Sequence, residues 1–408
     1  MYKKNFFSNF SRESAMRIIF ITVILVCGIM VRMNMFLMET GDMKDFLSVW
    51  YNYLKANGGF RAVGDDIGDY TPLYYYFLAA ITYTNIDYRA AIKILSCIFD
   101  FIMAFHVMKT VKISGASSRA CLLSFAMTIF LPTVILNSSG WGQCDSLYTC
   151  FLVICLYNIL KGNDLTAMIM FGISFSLKLQ AVFFAPFLCI LMIKGKIRPT
   201  ALLCIPAVYV ISILPAVCAG GDFIRLLTVY FRQAGEYDSV CLSISNAWAL
   251  IKNLKDPIIG GAGIFFAGGI IVMMIYYYTS DKNFRITQNT AVAAALMSSF
   301  VMPFLLPYMH ERYYYPAEIM TVIFVFYYHK RLWLPAAQQF CSCQCYFMFL
   351  YPEHASKYAM PIQLLTLIEF VNIAAIYLSL KEEIASARDE ELVMKFERKQ
   401  AEKQPQNA

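Results

Sequence analysis

The sequence has little charge and little histidine for its length. Only 15% of its 408 residues are charged and four are histidine, whereas 59% are hydrophobic and 16% are aromatic. Soluble domains carry about 25% charged residues. This composition excludes a soluble globular protein and predicts a polytopic membrane protein.

The basic residues do not form a nucleic-acid-binding segment, although the net charge is +7. They lie in short loops and near both ends of the chain. An excess of lysine and arginine in cytoplasmic loops is what orients a protein in a bilayer. We therefore expect membrane lipids, and no nucleic acid, among its partners.

The thirteen cysteines show no paired spacing that would predict a disulfide framework. Most lie within apolar runs, where cysteine behaves as a small hydrophobic residue. Cys341, Cys343 and Cys345 are closely spaced, but no histidine accompanies them. This absence disfavours a zinc site.

The hydrophobic runs and the charge pattern predict twelve spans with both chain ends in the cytoplasm. Lys3 and Lys4 precede a first span that no small-residue cleavage site follows. The run from Pro72 to Thr84 is too short to cross easily and is expected to lie along the outer surface. These spans give a transmembrane domain of residues 1–380 and a charged cytoplasmic tail of residues 381–408, which is expected to be helical at first and then disordered. The predicted spans are about 17–38, 88–109, 118–137, 146–160, 165–179, 181–193, 200–219, 257–279, 287–306, 316–328, 332–350 and 360–379.

Loop A, residues 39–87, is expected outside the cell, and its part from Gly41 to Tyr76 holds five aspartates among aromatic residues. Hydrophobic residues at helical spacing predict an amphipathic helix from Met43 to Asn57, which Gly58 and Gly59 would end. Asp42 stands just before this helix. One interpretation is that Asp42 caps the helix, while Asp45 adds favourable charge to the first turn. The other is that Asp42 is a positioned general base, and one residue can fill both roles. The five aspartates are Asp42, Asp45, Asp65, Asp66 and Asp69.

Further polar motifs fall on the same predicted face. In WGQCD, the glycine favours a tight turn with Trp141 anchored at the interface, while Gln143 and Asp145 are equally suited to bind a sugar or acceptor. Lys178 either extends to the lipid headgroups or, with Gln180, contacts a phosphate.

The sequence His310-Glu311-Arg312 stands at the entrance of a span and is followed by three tyrosines. It is either part of an aromatic belt with salt bridges or a phosphate site, in which the planar arginine binds phosphate oxygens and the glutamate orients it. Loop B, residues 220–257, contains GDFIRLLTVYFRQ, which predicts an amphipathic helix. Asp100 lies within an apolar span and needs a partner inside the bundle.

In this order the motifs resemble the GT-C class of integral-membrane glycosyltransferases, and within it the bacterial group related to GPI-anchor mannosyltransferases. The resemblance covers nearly the whole chain in layout. It rests on GD at Asp42, DYTPLYYY at 69–76, WGQCDS at 141–146, SLKLQ at 176–180 and MHERYYYP at 309–316. One departure is Leu73, which stands where related sequences tend to have a second proline.

The resemblance implies an all-α GT-C fold with about twelve transmembrane helices and two interfacial helices in loop A. It further implies inverting transfer of a hexose, with mannose one candidate, from a polyprenyl-phosphate donor to a glycan, lipid or protein acceptor outside the plasma membrane. Asp42 is the implied general base. The candidate substrate-binding residues are Asp45, Tyr70, Trp141, Gln143, Asp145, Lys178, Gln180, His310, Glu311 and Arg312.

No metal ligand is predicted and no cofactor is required, although the aspartates of loop A leave a divalent metal ion open. A polytopic transporter or lipid flippase is the alternative from another class. Such a carrier would place its polar groups near the bilayer midplane, often in two repeated halves, and this sequence shows no internal repeat. An inactive scaffold for envelope assembly is a third interpretation.

Overall fold

The computed structural model of the protein describes residues 12–233, 239–251 and 257–403, and these form a mostly helical bundle. Lys3, Lys4, parts of loop B and the last five residues of the tail lie outside the described residues. The helices are α1 Arg12–Met33, α2 Ser48–Ala56, α3 Pro72–Ile81, α4 Tyr88–Ile113, α5 Ser118–Phe130, α6 Pro132–Ile135, α7 Asp145–Leu160, α8 Asp164–Leu177, α9 Ala185–Ile193, α10 Cys204–Cys218, α11 Phe223–Leu227, α12 Val229–Gln233, α13 Pro257–Ser280, α14 Gln288–Leu305, α15 Tyr315–Phe324, α16 Leu334–Leu350, α17 Pro352–Tyr358 and α18 Ile362–Lys403.

Among the described residues, six helices are long and apolar enough to cross a membrane, and α5 with its continuation to Trp141, bent by 49°, makes a seventh when counted as one span. A helix occupies each of the twelve predicted positions. However, α7, α8, α15, α16 and the helical segment 179–193 are all shorter than 18 residues, so the number twelve stays a prediction. The six long spans are Ala15–Met33, Tyr88–Ile113, Pro199–Cys218, Pro257–Ser280, Gln288–Leu305 and Ile362–Met394.

The centre of the bundle is formed by helices that are enclosed on nearly every side. Helix α7 packs against α4 and α8, and in α14 every residue from Thr290 to Pro303 is buried. A helix without a polar face is expected in such a position. These buried helices therefore hold the loops at one end of the bundle in fixed positions.

Loop A folds as its sequence predicts. A π-helical turn, Met43–Leu47, continues into α2, and Gly58 ends the helix with a φ of +84°. That left-handed conformation costs little without a Cβ atom. The short run after Thr71 forms α3, which packs against α2 and α4 through buried residues that include Tyr74 and Tyr75.

Loop B docks onto loop A. The single amphipathic helix predicted for GDFIRLLTVYFRQ is wrong, because the chain breaks at Thr228 into α11 and α12. Arg225 donates from Nη1 to Asp66 Oδ1 over 2.9 Å and from Nη2 to the Gly64 carbonyl over 2.5 Å. A Cβ atom at Gly64 would lie 2.6 Å from the Ala216 carbonyl oxygen, so only glycine permits this close approach.

One small sheet departs from the all-α prediction. Strand β1, Cys241–Leu242, pairs in parallel with β2, Met309–His310, and the Tyr308 amide donates to the Val240 carbonyl over 2.9 Å. Two-residue strands are too short to show a period of two in the sequence. Their pairing joins loop B to the segment that contains His310, Glu311 and Arg312.

Candidate functional site

Asp42 lies in the first turn of a helix, but it does not cap that helix. Its backbone is helical, with φ −59° and ψ −37°, and its side chain makes no capping hydrogen bond. Thr40 Oγ1 instead accepts a hydrogen bond from the Met43 amide over 3.3 Å. The capping interpretation is wrong because the helix begins at Gly41, before Asp42, and a cap residue must itself be non-helical.

The carboxylate of Asp42 is held through one oxygen. Its Oδ2 accepts from Gln143 Nε2 over 2.7 Å and from Trp141 Nε1 over 3.1 Å, and it lies 3.8 Å from Arg312 Nη1. Among the described residues, no hydrogen bond reaches Oδ1, and the side chain is 20% exposed. One oxygen is therefore oriented while the other is available to a ligand.

The turn at Gly142 brings these two donors to Asp42. Gly142 has a φ of +82°, which confirms the predicted tight turn, and a Cβ atom there would collide with the methyl group of Met43. Trp141 is fully buried and stacks on Phe349, with ring centroids 5.1 Å apart. The interpretation of Trp141 as an anchor at the lipid interface is therefore wrong.

Asp145 and Lys178 form a buried ion pair beneath this turn. Asp145 Oδ1 lies 2.5 Å from Lys178 Nζ, and Oδ2 accepts from Asn137 Nδ2 over 2.8 Å. Lys178 has extended backbone at the break after α8 and is only 6% exposed. It does not extend to lipid headgroups, so that alternative is wrong.

Tyr70 borders this pair. Its ring lies 5.9 Å from Lys178 Nζ and 5.2 Å from the ring of Trp50, which brings loop A over the pair. Gln180, two residues after Lys178, is half-buried, and its Oε1 has no hydrogen-bond partner in the part of the chain that the structure describes.

The turn after β2 adds a cation and a carboxylate. Arg312 Nη1 lies 2.7 Å from Glu311 Oε1, and Glu311 Oε2 lies 3.5 Å from His310 Nδ1. The guanidinium also lies over the ring of Trp141, 5.2 Å from its centroid, and its Nε lies 3.8 Å from Asp145 Oδ2. This Nε is buried and has no hydrogen-bond partner among the residues described.

The protonation states of His310 and Glu311 follow from their burial and from the charged groups beside them. Burial lowers the pKa of His310, although Glu311 acts in the opposite direction. Burial would raise the pKa of Glu311, but the charge of Arg312 and the contact with His310 outweigh it and leave that pKa below its usual value. At neutral pH the turn therefore presents a neutral imidazole and a glutamate–arginine ion pair.

Asp45 stands apart from the other predicted site residues. It is exposed on the first turn after Asp42 and has no hydrogen bond or ion pair with another described residue. The remaining predicted residues come together from loop A, the turn at Gly142, the break at Lys178 and the turn after β2.

Two buried partners were not found from the sequence. Asn137, which binds Asp145, lies in an apolar segment and was overlooked although amides are uncommon there. Asp100 accepts from Arg32 Nε over 3.0 Å and from Ser138 Oγ over 2.6 Å, which confirms that it is paired inside the bundle. A cation inside the first predicted span, Arg32, was available in the sequence as a candidate partner, but nothing local indicated that it pairs with Asp100.

Within the described ranges, no group of three or more histidine, cysteine, aspartate or glutamate side chains is arranged to hold a metal ion. Comparison with protein-family models and with curated proteins finds no match to this chain. The chemistry available at the site is therefore judged from its geometry.

Proposed function

We propose that the protein is a membrane glycosyltransferase of the GT-C type, which moves a hexose from a polyprenyl-phosphate-linked donor to an acceptor hydroxyl on the outer face of the plasma membrane. The observation that carries this proposal is the position of Asp42. Its Oδ2 is held by Trp141 and Gln143 beside the guanidinium of Arg312, and its Oδ1 remains available. A fixed carboxylate next to a buried arginine suits a base beside a phosphate.

The reaction is a single displacement. Asp42 accepts the proton of the acceptor hydroxyl, and the acceptor oxygen forms a bond with the anomeric carbon. The bond between that carbon and the phosphate oxygen breaks, and its electron pair leaves with the polyprenyl phosphate. Attack from the face opposite the leaving group inverts the anomeric centre.

Arg312 is the residue placed to stabilise the leaving phosphate. Its Nε donor is buried without a hydrogen bond, so a phosphate oxygen would supply the partner it lacks. Glu311 fixes the guanidinium from one side over 2.7 Å. Lys178 is already held by Asp145 at 2.5 Å, so we assign it to orienting Asp145 rather than to a first contact with phosphate.

Loops A and B are suited to enclosing the reacting groups. The Arg225–Asp66 ion pair joins them at 2.9 Å, and Gln233 Nε2 donates to the Asp69 carbonyl over 2.5 Å. A closed site limits hydrolysis of the donor because it excludes water and holds donor and acceptor together. The proposal includes twelve spans, cytoplasmic chain ends and an outer site.

Transfer by the purified protein tests the proposal. The full chain is placed in lipid vesicles with a panel of labelled polyprenyl-phosphate hexoses and with glycan, lipid and protein fractions of the cell envelope. We expect label in an acceptor, or slow release of free sugar from one donor, and neither with Asp42→Asn. Movement of intact donor across the bilayer without a product would favour a carrier, and no change in any donor would contradict the proposal.

A further inference from the structure

The buried carboxyl groups of the bundle are of two kinds, those that lie beside a cation and those that do not. Five aspartates and glutamates are buried in the described part of the chain. Asp100, Asp145 and Glu311 each have an arginine or lysine within 3.0 Å. Glu318 and Glu369 have no cation within 4.0 Å among the described residues, although both are at most 1% exposed.

Few donors reach the carboxyl group of Glu318. Thr133 Oγ1 donates to Glu318 Oε2 over 2.5 Å, and Gln339 in turn donates from Nε2 to that hydroxyl over 2.8 Å and accepts from the Thr133 amide over 3.2 Å. The other oxygen of Glu318, Oε1, is buried without a hydrogen-bond partner in the described ranges. A proton on Glu318 would remove a buried negative charge that has few donors to stabilise it.

The hydrogen-bond partners of Glu369 among the described residues are all neutral. Its Oε1 accepts from Gln338 Nε2 over 3.1 Å and from Ser245 Oγ over 3.2 Å, and its Oε2 accepts from Asn372 Nδ2 over 3.1 Å. Asn372 Oδ1 is fully buried and, among the described residues, has no donor. This second unpartnered oxygen again indicates that the cluster lacks protons.

Helix α16 connects the two acids. Gln339 reaches Glu318 with Nε2 at 3.5 Å, and the adjacent Gln338 reaches Glu369. These glutamines and the serine that follows make α16 less apolar than α7 and α8, which are of similar length. The polar side of α16 therefore faces α15 and α18, and not solvent.

Within the described ranges, no cation lies close enough to either acid to form an ion pair. Glu318 lies within electrostatic range of Asp145, and Glu369 lies within range of Glu318, so each ionised neighbour opposes a further negative charge. The other titratable groups near the pair in the described part of the chain are tyrosines and cysteines, which are ordinarily neutral at pH 7. They are Tyr314, Tyr315, Tyr346, Cys341, Cys343 and Cys345. A buried carboxyl group without a cation avoids the large cost of its charge by binding a proton.

We propose that Glu318 and Glu369 form a proton-binding site inside the helical bundle, separate from the Asp42 cluster, and that both bind a proton at neutral pH. Each acid then donates one hydrogen bond within the cluster. The site joins α15, which follows the turn bearing Arg312, to α16 and α18. This inference does not depend on the proposed glycosyl transfer.

Infrared spectroscopy of the purified full-length protein tests the site directly. The protein is prepared with ¹³C-carboxyl glutamate, in a detergent without ester groups, at pH 7 in H₂O and in D₂O. We expect the carbonyl band of a protonated glutamic acid, which shifts in D₂O. Glu318→Gln and Glu369→Gln should each remove part of this band, and the double variant should remove it.

Glu382→Gln is the matched control, because Glu382 is more than half exposed and pairs with Arg331. It should reduce the carboxylate band and leave the acid band unchanged. The spectrum of the unaltered protein shows whether a protonated glutamic acid is present at pH 7, even where a variant does not fold. Absence of an acid band at pH 7, or its persistence in a folded double variant, would overturn the proposal.

Discussion

Asp145 and Lys178 are 33 positions apart in the chain, yet their Oδ1 and Nζ atoms lie 2.5 Å apart inside the bundle. Both side chains are at most 6% exposed. In such a setting the attraction between the charges offsets their loss of hydration only while both are present. The pair therefore holds the break after α8 against the start of α7.

Lys178→Met should lower the free energy of unfolding by about 3–5 kcal/mol, because it leaves the buried Asp145 charge without its closest cation. The midpoint of unfolding in detergent, followed by circular dichroism, measures this loss. Adding Asp145→Asn should recover part of the lost stability. If Lys178→Met is as stable as the unaltered protein, the buried charge of Asp145 does not depend on Lys178.

Arg198→Met provides the control for that loss. Arg198 pairs with Asp164 at 2.8 Å, but its side chain is 68% exposed. Water and salt screen such a pair, so the variant should unfold at nearly the same midpoint as the unaltered protein. A similar loss in both variants would mean that burial is not what makes Lys178 important.

The sequence predicted the helices and many of the residues that lie together around Asp42, because both leave local signals. Span lengths and basic loops mark the helices, and polar motifs interrupt long apolar runs at Asp42, Trp141, Lys178 and His310. Which atoms meet could not be predicted in the same way. A two-residue difference in where the helix begins, Gly41 instead of Met43, turned Asp42 from a cap into a side chain directed at Gln143.

Pairing between distant helices also left no local signal. Asp100 was expected to have a partner, but the choice of Arg32 depends on how α1 packs against α4. Glu318 and Glu369 carry the same signal as Asp100, a carboxyl group inside a predicted span, but they were not singled out. The β1–β2 pair is set by a single backbone register between Cys241 and Met309.

Asp42→Asn should reduce the rate of sugar transfer by about two to four orders of magnitude, since the amide cannot accept the proton. Its oxygen can still accept from Trp141 and Gln143, so the fold and donor binding should persist. Asp45→Asn is the matched control, and its effect should be small because Asp45 is exposed and outside the site. Initial rates at saturating donor compare the two. Equal, small effects would remove Asp42 from the reaction.

The predicted topology places loop A outside the cell. Asn85→Cys lies in an exposed turn between α3 and α4, and it should react on intact cells with a membrane-impermeant thiol reagent. The exposed Cys218 is first replaced by serine to lower the background. Ser386→Cys, which is exposed on α18, should react only after permeabilisation. The reverse pattern would place the Asp42 site on the cytoplasmic face.

Arg312 gives the sharpest test of how the donor is bound. Its Nη1 is held by Glu311 at 2.7 Å, while its Nε is buried without a hydrogen bond among the described residues. Arg312→Lys keeps the positive charge but loses the planar pair of donors, so it should weaken donor binding and slow transfer. Arg312→Ala should do more, because negative charge on the leaving phosphate is then poorly stabilised.

The dependence of the transfer rate on donor concentration separates these effects in folded, purified variants. We expect the half-saturating donor concentration to rise in Arg312→Lys, and the maximal rate to fall further in Arg312→Ala. Arg331→Lys is a suitable control, because Arg331 pairs with Glu382 on α18 and is not expected to meet the phosphate. If Arg312→Ala saturates at the same donor concentration and rate as the unaltered protein, Arg312 serves only to pack Trp141 and Glu311.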